Sequence, residues 1–369
     1  MVKILIAGGG TGGHVFPMIA VGDAIRRLDE SAEVVYVGTA RGIEARVMPE
    51  RGDTLELMHI LPLRGGGVRG FARGSLRAAA SLPEARALVR RIAPAVVLSV
   101  GGYAAGPVSL AARSLGIPIA ILEPNSALGL ANRFLSPFAR RAYTAFPEVE
   151  RHLRPSIVVR AGVPLRKSFA PARYEQRGDG APMRVLVLGG SQGAHALNEL
   201  VPRAIAKVAT CSVVHQTGPG RDEVVRSLYA GLGIADRADV VPFIDDMHAA
   251  LTSADLVIGR AGASSLAELS AIGRPALLIP YPFAADDHQL RNARSFERAG
   301  AAVAIAQSEA TEERLARELN ALAQDGDRRA RMAEASRGLG RPNAAQQIAE
   351  DLLTIARFSE ASMQKKRSA

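Results

Sequence analysis

The chain predicts two Rossmann-like, doubly wound α/β domains facing a cleft, and three observations predict it. Short apolar runs alternate with helical patterns, which argues a parallel sheet with helices on both faces. The first run, Ile4-Leu5-Ile6-Ala7, leads directly into Gly8-Gly9-Gly10-Thr11-Gly12-Gly13-His14. That whole opening then recurs: Met183-Arg184-Val185-Leu186-Val187-Leu188-Gly189-Gly190-Ser191-Gln192-Gly193-Ala194-His195 echoes residues 2–14, the repeat of a nucleotide-fold unit rather than a short solenoid period. A length of 369 residues also makes two domains the natural division.

The first glycine loop reads as a phosphate-binding turn. Its glycines let the backbone approach an anion, and the helix after it offers unpaired N–H groups and a partial positive charge. Pro17 is expected at the first turn of that helix, with Met18, Val21, Ile25 and Leu28 on one face. Gly8-x-Gly10-x-x-Gly13 also fits the dinucleotide fingerprint, which wants an acid at the end of the second strand to hold a ribose. Here that strand, Val34-Val35-Tyr36-Val37-Gly38-Thr39, ends without one, which counts against a nicotinamide or flavin cofactor.

In the first domain, residues 1–166, strands are expected at 2–7, 33–37, 54–59, 96–100, 119–122, 142–145 and 157–160. Residues 92–112 carry no charge, but Pro94, Gly101, Gly102, Gly106 and Pro107 interrupt them, so a buried strand, a loop and a helix start explain them better than a membrane span. Residues 167–182 lack periodicity and read as a linker. The second domain, 183–341, is expected to hold strands at 212–215, 239–241, 256–258, 276–279 and 302–305. Helices are expected at 312–324, 328–336 and 344–358, with 359–369 frayed. The segment 342–369 is assigned to the first domain.

Composition narrows the function classes. Hydrophobic residues make up 48% and aromatics only 4%, so the cores are aliphatic. The single cysteine, Cys211, rules out an internal disulfide and a cysteine metal cage, and fits a reducing cytoplasm. The opening apolar run is too short for a signal peptide. The net charge of +10 is uneven: Arg64, Arg69, Arg73, Arg77, Arg86, Arg90 and Arg91 cluster with Glu84 as their one acid, interleaved with Leu61, Leu63, Val68, Phe71, Leu76 and Leu82. Basic and apolar residues together read as a membrane-surface patch, or as an ordinary solvated face; a nucleic-acid groove would favour stacking aromatics.

Several side chains are candidates for chemistry, each with a plainer alternative. His14 is a general base or a structural helix-start histidine. Glu123, Asn125 and Asn132 follow the 119–122 strand, as sugar contacts or as turn chemistry around Pro124. Arg166 is a countercharge for a departing diphosphate or a surface arginine. Ser191 donates to a phosphate or forms a turn. Ser264 and Ser265 are capping types at a helix start that suits a diphosphate, and Glu268, about one turn in, accepts from a ribose or offsets the helix dipole. Asp245-Asp246 and Asp286-Asp287-His288 lack a convincing ligand set, so no protein-bound metal is expected and Asp245-Asp246 is read as a helix cap.

At these residues the chain resembles the MurG family of peptidoglycan glycosyltransferases over nearly its whole length. The resemblance is carried by Gly9 to Pro17, Gly101-Gly102-Tyr103 with Gly106-Pro107, Gly189 to Ala194, Phe243-Ile244-Asp245-Asp246-Met247, Arg260 to Ala263 with Glu268, and Asp287-His288-Gln289 with Asn292. It implies a GT-B architecture and inverting transfer of N-acetylglucosamine from its UDP donor to the C4 hydroxyl of lipid I, the undecaprenyl-diphosphate-linked muramyl-pentapeptide, with no cofactor and no metal. It implies His14 and Glu123 as catalytic. On the donor it implies Thr11, Gly12, Gly13, Asn125, Arg166, Ser191, the Ile244 backbone at uracil, Ala263, Ser264, Ser265, Glu268 at ribose, and Gln289 at the sugar. It also implies a peripheral place on the cytoplasmic face of the inner membrane, an anionic membrane surface and proteins of cell-wall synthesis and division as partners, and no nucleic acid. The family often carries Gln where Pro124 stands, and a more aromatic membrane patch. The rival readings are a UDP-sugar epimerase of the same fold, an NAD-dependent oxidoreductase, and a non-catalytic nucleotide-binding membrane adaptor.

Overall fold

The computed structural model describes residues 1–59, 80–102, 104–166, 169, 171–175, 181–190 and 193–368, with backbone alone at 285 and 363–368. The chain divides into two compact units, Met1–Lys167 with Pro342–Ala369, and Ser168–Arg341. Each is built on one parallel sheet.

The first unit holds β1 (Lys3–Ala7), β2 (Glu33–Thr39), β3 (Leu55–Met58), β4 (Val96–Ser99), β5 (Ile119–Glu123), β6 (Arg141–Thr144) and β7 (Val158–Val159), in the order β3-β2-β1-β4-β5-β6-β7. Its strands are apolar on both faces because both faces are covered. Ile4 and Ile6 join the core with Met18, Val21 and Ile25, while Leu5 and Ala7 join Val89, Ala105 and Val108 on the other side. β1 pairs with both β2 and β4, so the strand order reverses there. The carboxyl ends of β1 and β4 therefore border a topological switch point, the usual place for a ligand in such sheets. The Gly8–His14 loop and Gly101-Gly102 meet there backbone to backbone: a Cβ on Gly102 would overlap the Gly9 carbonyl.

The first helix runs Gly12–Leu28, so it starts five residues before the expected Pro17. Pro17 lies inside it and forgoes the hydrogen bond to the Gly13 carbonyl. Leu28, expected on the buried face, is exposed. Gly22 sits mid-helix because a Cβ there would overlap the hydroxyl of the buried Tyr36. The strand expected at 157–160 is shorter, since a 3-10 turn, Pro155–Ile157, takes its first residue.

The last helix runs Ala344–Ser368, so the tail expected to fray continues as helix. Ile348, Leu352 and Ile355 enter the first-unit core. Asp351 accepts from the Tyr143 hydroxyl at 2.9 Å and Arg141 Nε at 3.0 Å, and Arg357 donates to Asp29 at 2.8 Å.

The second unit holds β8 (Met183–Leu188), β9 (Cys211–Gln216), β10 (Ala238–Val241), β11 (Leu256–Gly259), β12 (Ala276–Leu278) and β13 (Ala302–Ala304), in the order β10-β9-β8-β11-β12-β13. Its switch point lies between β8 and β11, beside the second glycine loop and Gly259 to Ala263. Arg274 is the largest fully buried side chain of the unit. It donates to the carbonyls of Leu251 (2.9 Å) and Thr252 (2.8 Å), the open end of helix Met247–Ser253, and its guanidinium lies 5.4 Å from the Tyr174 ring. Tyr174 donates in turn to the Asp255 carbonyl, so residues 171–175 of the expected linker pack onto this unit.

Gly22→Ala is expected to lower unfolding free energy by about 1–3 kcal/mol through overpacking. Adding Tyr36→Phe should return part of that loss, because the Tyr36 hydroxyl has no hydrogen-bond partner among the described residues. Urea denaturation of the single and double variants measures both.

Candidate functional site

At the first unit's carboxyl edge, the helix start sets the geometry. Gly12 and Gly13 are its first residues, and their amides have no carbonyl one turn back to bond. Thr11 and Gly13 are exposed, and His14 is half-buried. Thr11 Oγ1 lies 3.4 Å from His14 Nδ1, and the other ring nitrogen lies only 3.2 Å from where Gly101 would carry a Cβ. Gly101, at φ +89°, thus leaves room for the His14 ring. Arg166 reaches the same helix start through Phe16: its guanidinium lies 5.8 Å from the Phe16 ring, which lies against Gly12.

Glu123, at the end of β5, is buried, and its carboxylate organises the loop after it. Oε1 accepts from the Asn125 amide N–H at 3.2 Å, and Oε2 accepts from Gly129 N–H at 2.9 Å and Asn132 Nδ2 at 3.1 Å. Asn132 also donates to the Leu122 carbonyl and accepts from Ser99. Burial pushes the Glu123 pKa up, and the bonds from Gly129, Asn132 and Asn125 partly oppose that. The arrangement fixes Asn125, half-buried, above a carboxyl group that is itself enclosed.

Glu44 belongs to none of the motifs singled out in the sequence. This buried side chain accepts from Gly10 N–H, Thr39 N–H and Thr39 Oγ1. Its sequence signal was the pair Gly38 and Gly42 just before it, two glycines spaced as if to make room.

The second unit's edge repeats the theme with different polar pins. Gly193, at φ +68°, touches the Thr217 carbonyl so closely that a Cβ would overlap it. Asn198 Nδ2 donates to that same carbonyl at 3.0 Å, while Asn198 Oδ1 accepts from His215 Nε2 at 3.1 Å. His215 Nδ1 then accepts from the Tyr229 hydroxyl at 3.0 Å. This network suits a neutral imidazole, and burial pushes the His215 pKa down to about 4. Gln216 Nε2 donates to Gly190 O at 3.1 Å and Pro242 O at 3.4 Å, tying the glycine loop to the Phe243-Ile244 turn. Ile244 is half-buried there, and Asp246 caps Met247–Ser253 through Ala249 N–H.

Helix Ala263–Ile272 corrects one expectation. Its cap position is Gly262, so Ser264 and Ser265 lie inside the first turn instead of capping it. The amides of Ala263, Ser264 and Ser265 are therefore open, and the buried Ser264 Oγ has no hydrogen-bond partner among the described residues. Glu268 is the helix's sixth residue, half-buried, beyond the first turn where it would offset the dipole. Asn292 donates to the Ala261 carbonyl at 3.1 Å, and Gln289 Oε1 accepts from Tyr281 N–H at 3.0 Å. Asp286 and Asp287, just before Gln289, both hold left-handed backbone, at φ +52° and +51°.

Ser191, Tyr103 and the 61–77 part of the basic–apolar stretch lie outside the described residues. Of the rest of that stretch, Arg91 makes a bidentate pair with Glu56 and Arg86 donates to Ser114. Phe134 and Phe138 are exposed on the first unit beside Arg133 and Arg140. Among the described residues no helix is long and apolar enough to cross a membrane.

Two doubly wound α/β units, each with a glycine loop at its switch point, define a protein of the GT-B class. Residues 4–144 match the N-terminal domain of glycosyltransferase family 28 and residues 184–348 match its C-terminal domain. The chain belongs to glycosyltransferase family 28. It is 66% identical, over 97% of its length and 89% of the relative's, to the UDP-N-acetylglucosamine–N-acetylmuramyl-(pentapeptide) pyrophosphoryl-undecaprenol N-acetylglucosamine transferase of Sorangium cellulosum. Among solved structures it is similar to Acinetobacter baumannii MurG, with a TM-score of 0.81 and 30% identity over 96% of this chain and all of that one. A putative UDP-N-acetylglucosamine 2-epimerase from Listeria monocytogenes shares the fold, at a TM-score of 0.68 and 15% identity over 97% of each chain.

Because the folded His215 binds its proton less readily than the unfolded one, stability is lost as pH falls from about 6.5 toward about 4. His215→Gln should destabilise the protein at pH 7, and that penalty should shrink by about 2 kcal/mol at pH 5. Denaturant titrations at the two pH values check this.

Proposed function

We propose that the chain transfers N-acetylglucosamine from UDP-N-acetylglucosamine to the C4 hydroxyl of lipid I, giving lipid II and UDP. The observation that carries the reading is the 66% identity, over 97% of the chain, to a transferase of that name. The fold alone does not choose, since an epimerase shares it. The missing strand-end acid weighs against the oxidoreductase.

The chemistry is a single in-line displacement. The acceptor C4 oxygen attacks the anomeric carbon, its proton passes to a base, and the carbon–oxygen bond to UDP breaks with the electron pair leaving on the diphosphate. His14 is the candidate base, held at the loop by Thr11 and Gly101. Glu123, called catalytic from the sequence, is buried and acts by fixing the Asn125 loop. In the second unit the open amides of Ala263, Ser264 and Ser265, the Ser264 hydroxyl and Ser191 meet the diphosphate, and a helix N-terminus stabilises the charge that develops there. The Ile244 backbone takes uracil, Glu268 the ribose hydroxyls and Gln289 the sugar. Thr11, Gly12, Gly13, Asn125 and Arg166 complete the donor set, with Arg166 as countercharge to the departing diphosphate. The enzyme acts at the cytoplasmic face of the inner membrane, alongside proteins of cell-wall synthesis and division. Exposed Phe134 and Phe138 beside arginines, and the basic 64–77 stretch, support contact with an anionic surface.

Purified protein with labelled UDP-N-acetylglucosamine, a short-chain lipid I analogue and EDTA should yield labelled disaccharide-lipid and UDP. Conversion of the donor with no acceptor present would favour the epimerase, and donor binding without product the adaptor. In this assay Glu268→Ala should raise the donor KM by roughly tenfold or more, as two hydrogen bonds to ribose are lost; an unchanged KM would remove Glu268 from the site. Replacing Arg69, Arg73 and Arg77 together by Glu should cut binding to anionic liposomes far more than activity on the short-chain acceptor, and equal losses would assign those arginines a structural role.

A further inference from the structure

One buried carboxylate has no part in the chemistry above. Glu44 is fully buried. Its Oε2 accepts from Gly10 N–H at 2.9 Å, and its Oε1 accepts from Thr39 N–H at 2.9 Å and the Thr39 hydroxyl at 3.2 Å. Gly10 follows β1 and Thr39 ends β2, so one side chain straps the first glycine loop to the neighbouring strand. The space it fills is cut by glycines: a Cβ on Gly9, Gly38 or Gly42 would overlap the Glu44 side chain. Gly9 and Gly10 hold φ values of +125° and +95°, which L side chains rarely adopt, so the turn needs an outside hold to keep one shape.

In dinucleotide-binding folds an acid at the end of the second strand reaches out to a ribose. Here the acid comes from five residues beyond that strand's last residue and is turned inward onto the protein's own loop. It occupies the Gly10 amide, so an incoming anion meets the helix-start amides of Gly12 and Gly13.

We propose that Glu44 is a positioning residue for the transfer: by holding Gly10 it fixes the turn that presents the Gly12 and Gly13 amides to the substrates' phosphates and His14 to the acceptor hydroxyl. This rests on the transferase reading above. It explains why three glycines surround one carboxylate, and it places the larger effect on the acceptor, since the second unit carries most of the donor contacts.

The test uses the full chain with the short-chain lipid I analogue and two variants. Glu44→Gln replaces one accepting oxygen with an NH2 group that cannot accept from Gly10 or Thr39. Gly42→Ala keeps Glu44 but displaces its carboxylate. Both should raise the acceptor KM about tenfold or more and lower kcat, while UDP-N-acetylglucosamine affinity by calorimetry falls by clearly less than the acceptor KM rises. A merely structural role would instead reduce activity in proportion to the folded fraction, read from thermal melts, at an unchanged acceptor KM. That outcome, or wild-type kinetics in both variants, overturns the proposal. A wild-type protein that makes no disaccharide-lipid overturns the transferase reading itself, and is told apart because wild type and variants are then equally inactive.

Discussion

The structure depends on holding glycine backbone still. At each sheet's switch point the chain turns through glycines, which lets backbones touch and leaves amides open to an anion, but gives the turn little rigidity of its own. Buried polar groups supply it. In the first unit Glu44 bonds Gly10 and Thr39, and Glu123 bonds Asn125, Gly129 and Asn132. In the second, Gln216 bonds Gly190 and Pro242, and the Asn198–His215–Tyr229 chain holds the Thr217 carbonyl against Gly193. Each pin is enclosed and satisfied, which is what makes it stiff, since a buried polar group pays heavily for losing its partner.

The two edges differ in what they leave open. The first leaves the amides of Gly12 and Gly13, near the Arg166 guanidinium that lies over Phe16. The second leaves three helix amides and the Ser264 hydroxyl. Both edges place the positive end of a helix where an anion can be met. The fold itself is shared with an epimerase, so the activity lies in the loops.

Much of this was legible in the sequence because the signals were local. Continuous apolar runs placed β1, β4, β5 and β8, and the echo of residues 2–14 in 183–195 gave the second unit. Gly101-Gly102 was readable as a strand-end loop. What escaped depended on distant partners. Nothing near Glu44 in the chain shows that it bonds Gly10, 34 residues away, and nothing near Arg274 shows that it caps another helix's carbonyls. The helix start was misplaced because Pro17 is a stronger local signal than Gly12, although the glycines tolerate helix once the sheet is in place. Ser264 and Ser265 looked like caps by type, yet Gly262 takes the cap, and the serines sit inside the first turn.

Transfer in one displacement from a UDP-linked donor to a sugar hydroxyl fixes the stereochemistry of the product. Its most direct test is the anomeric configuration of the product, read by proton NMR of the disaccharide released from the lipid. The donor is α-linked, so a single displacement predicts a β linkage to the C4 oxygen of the muramyl sugar. An α linkage, or a linkage to another oxygen, would contradict the account.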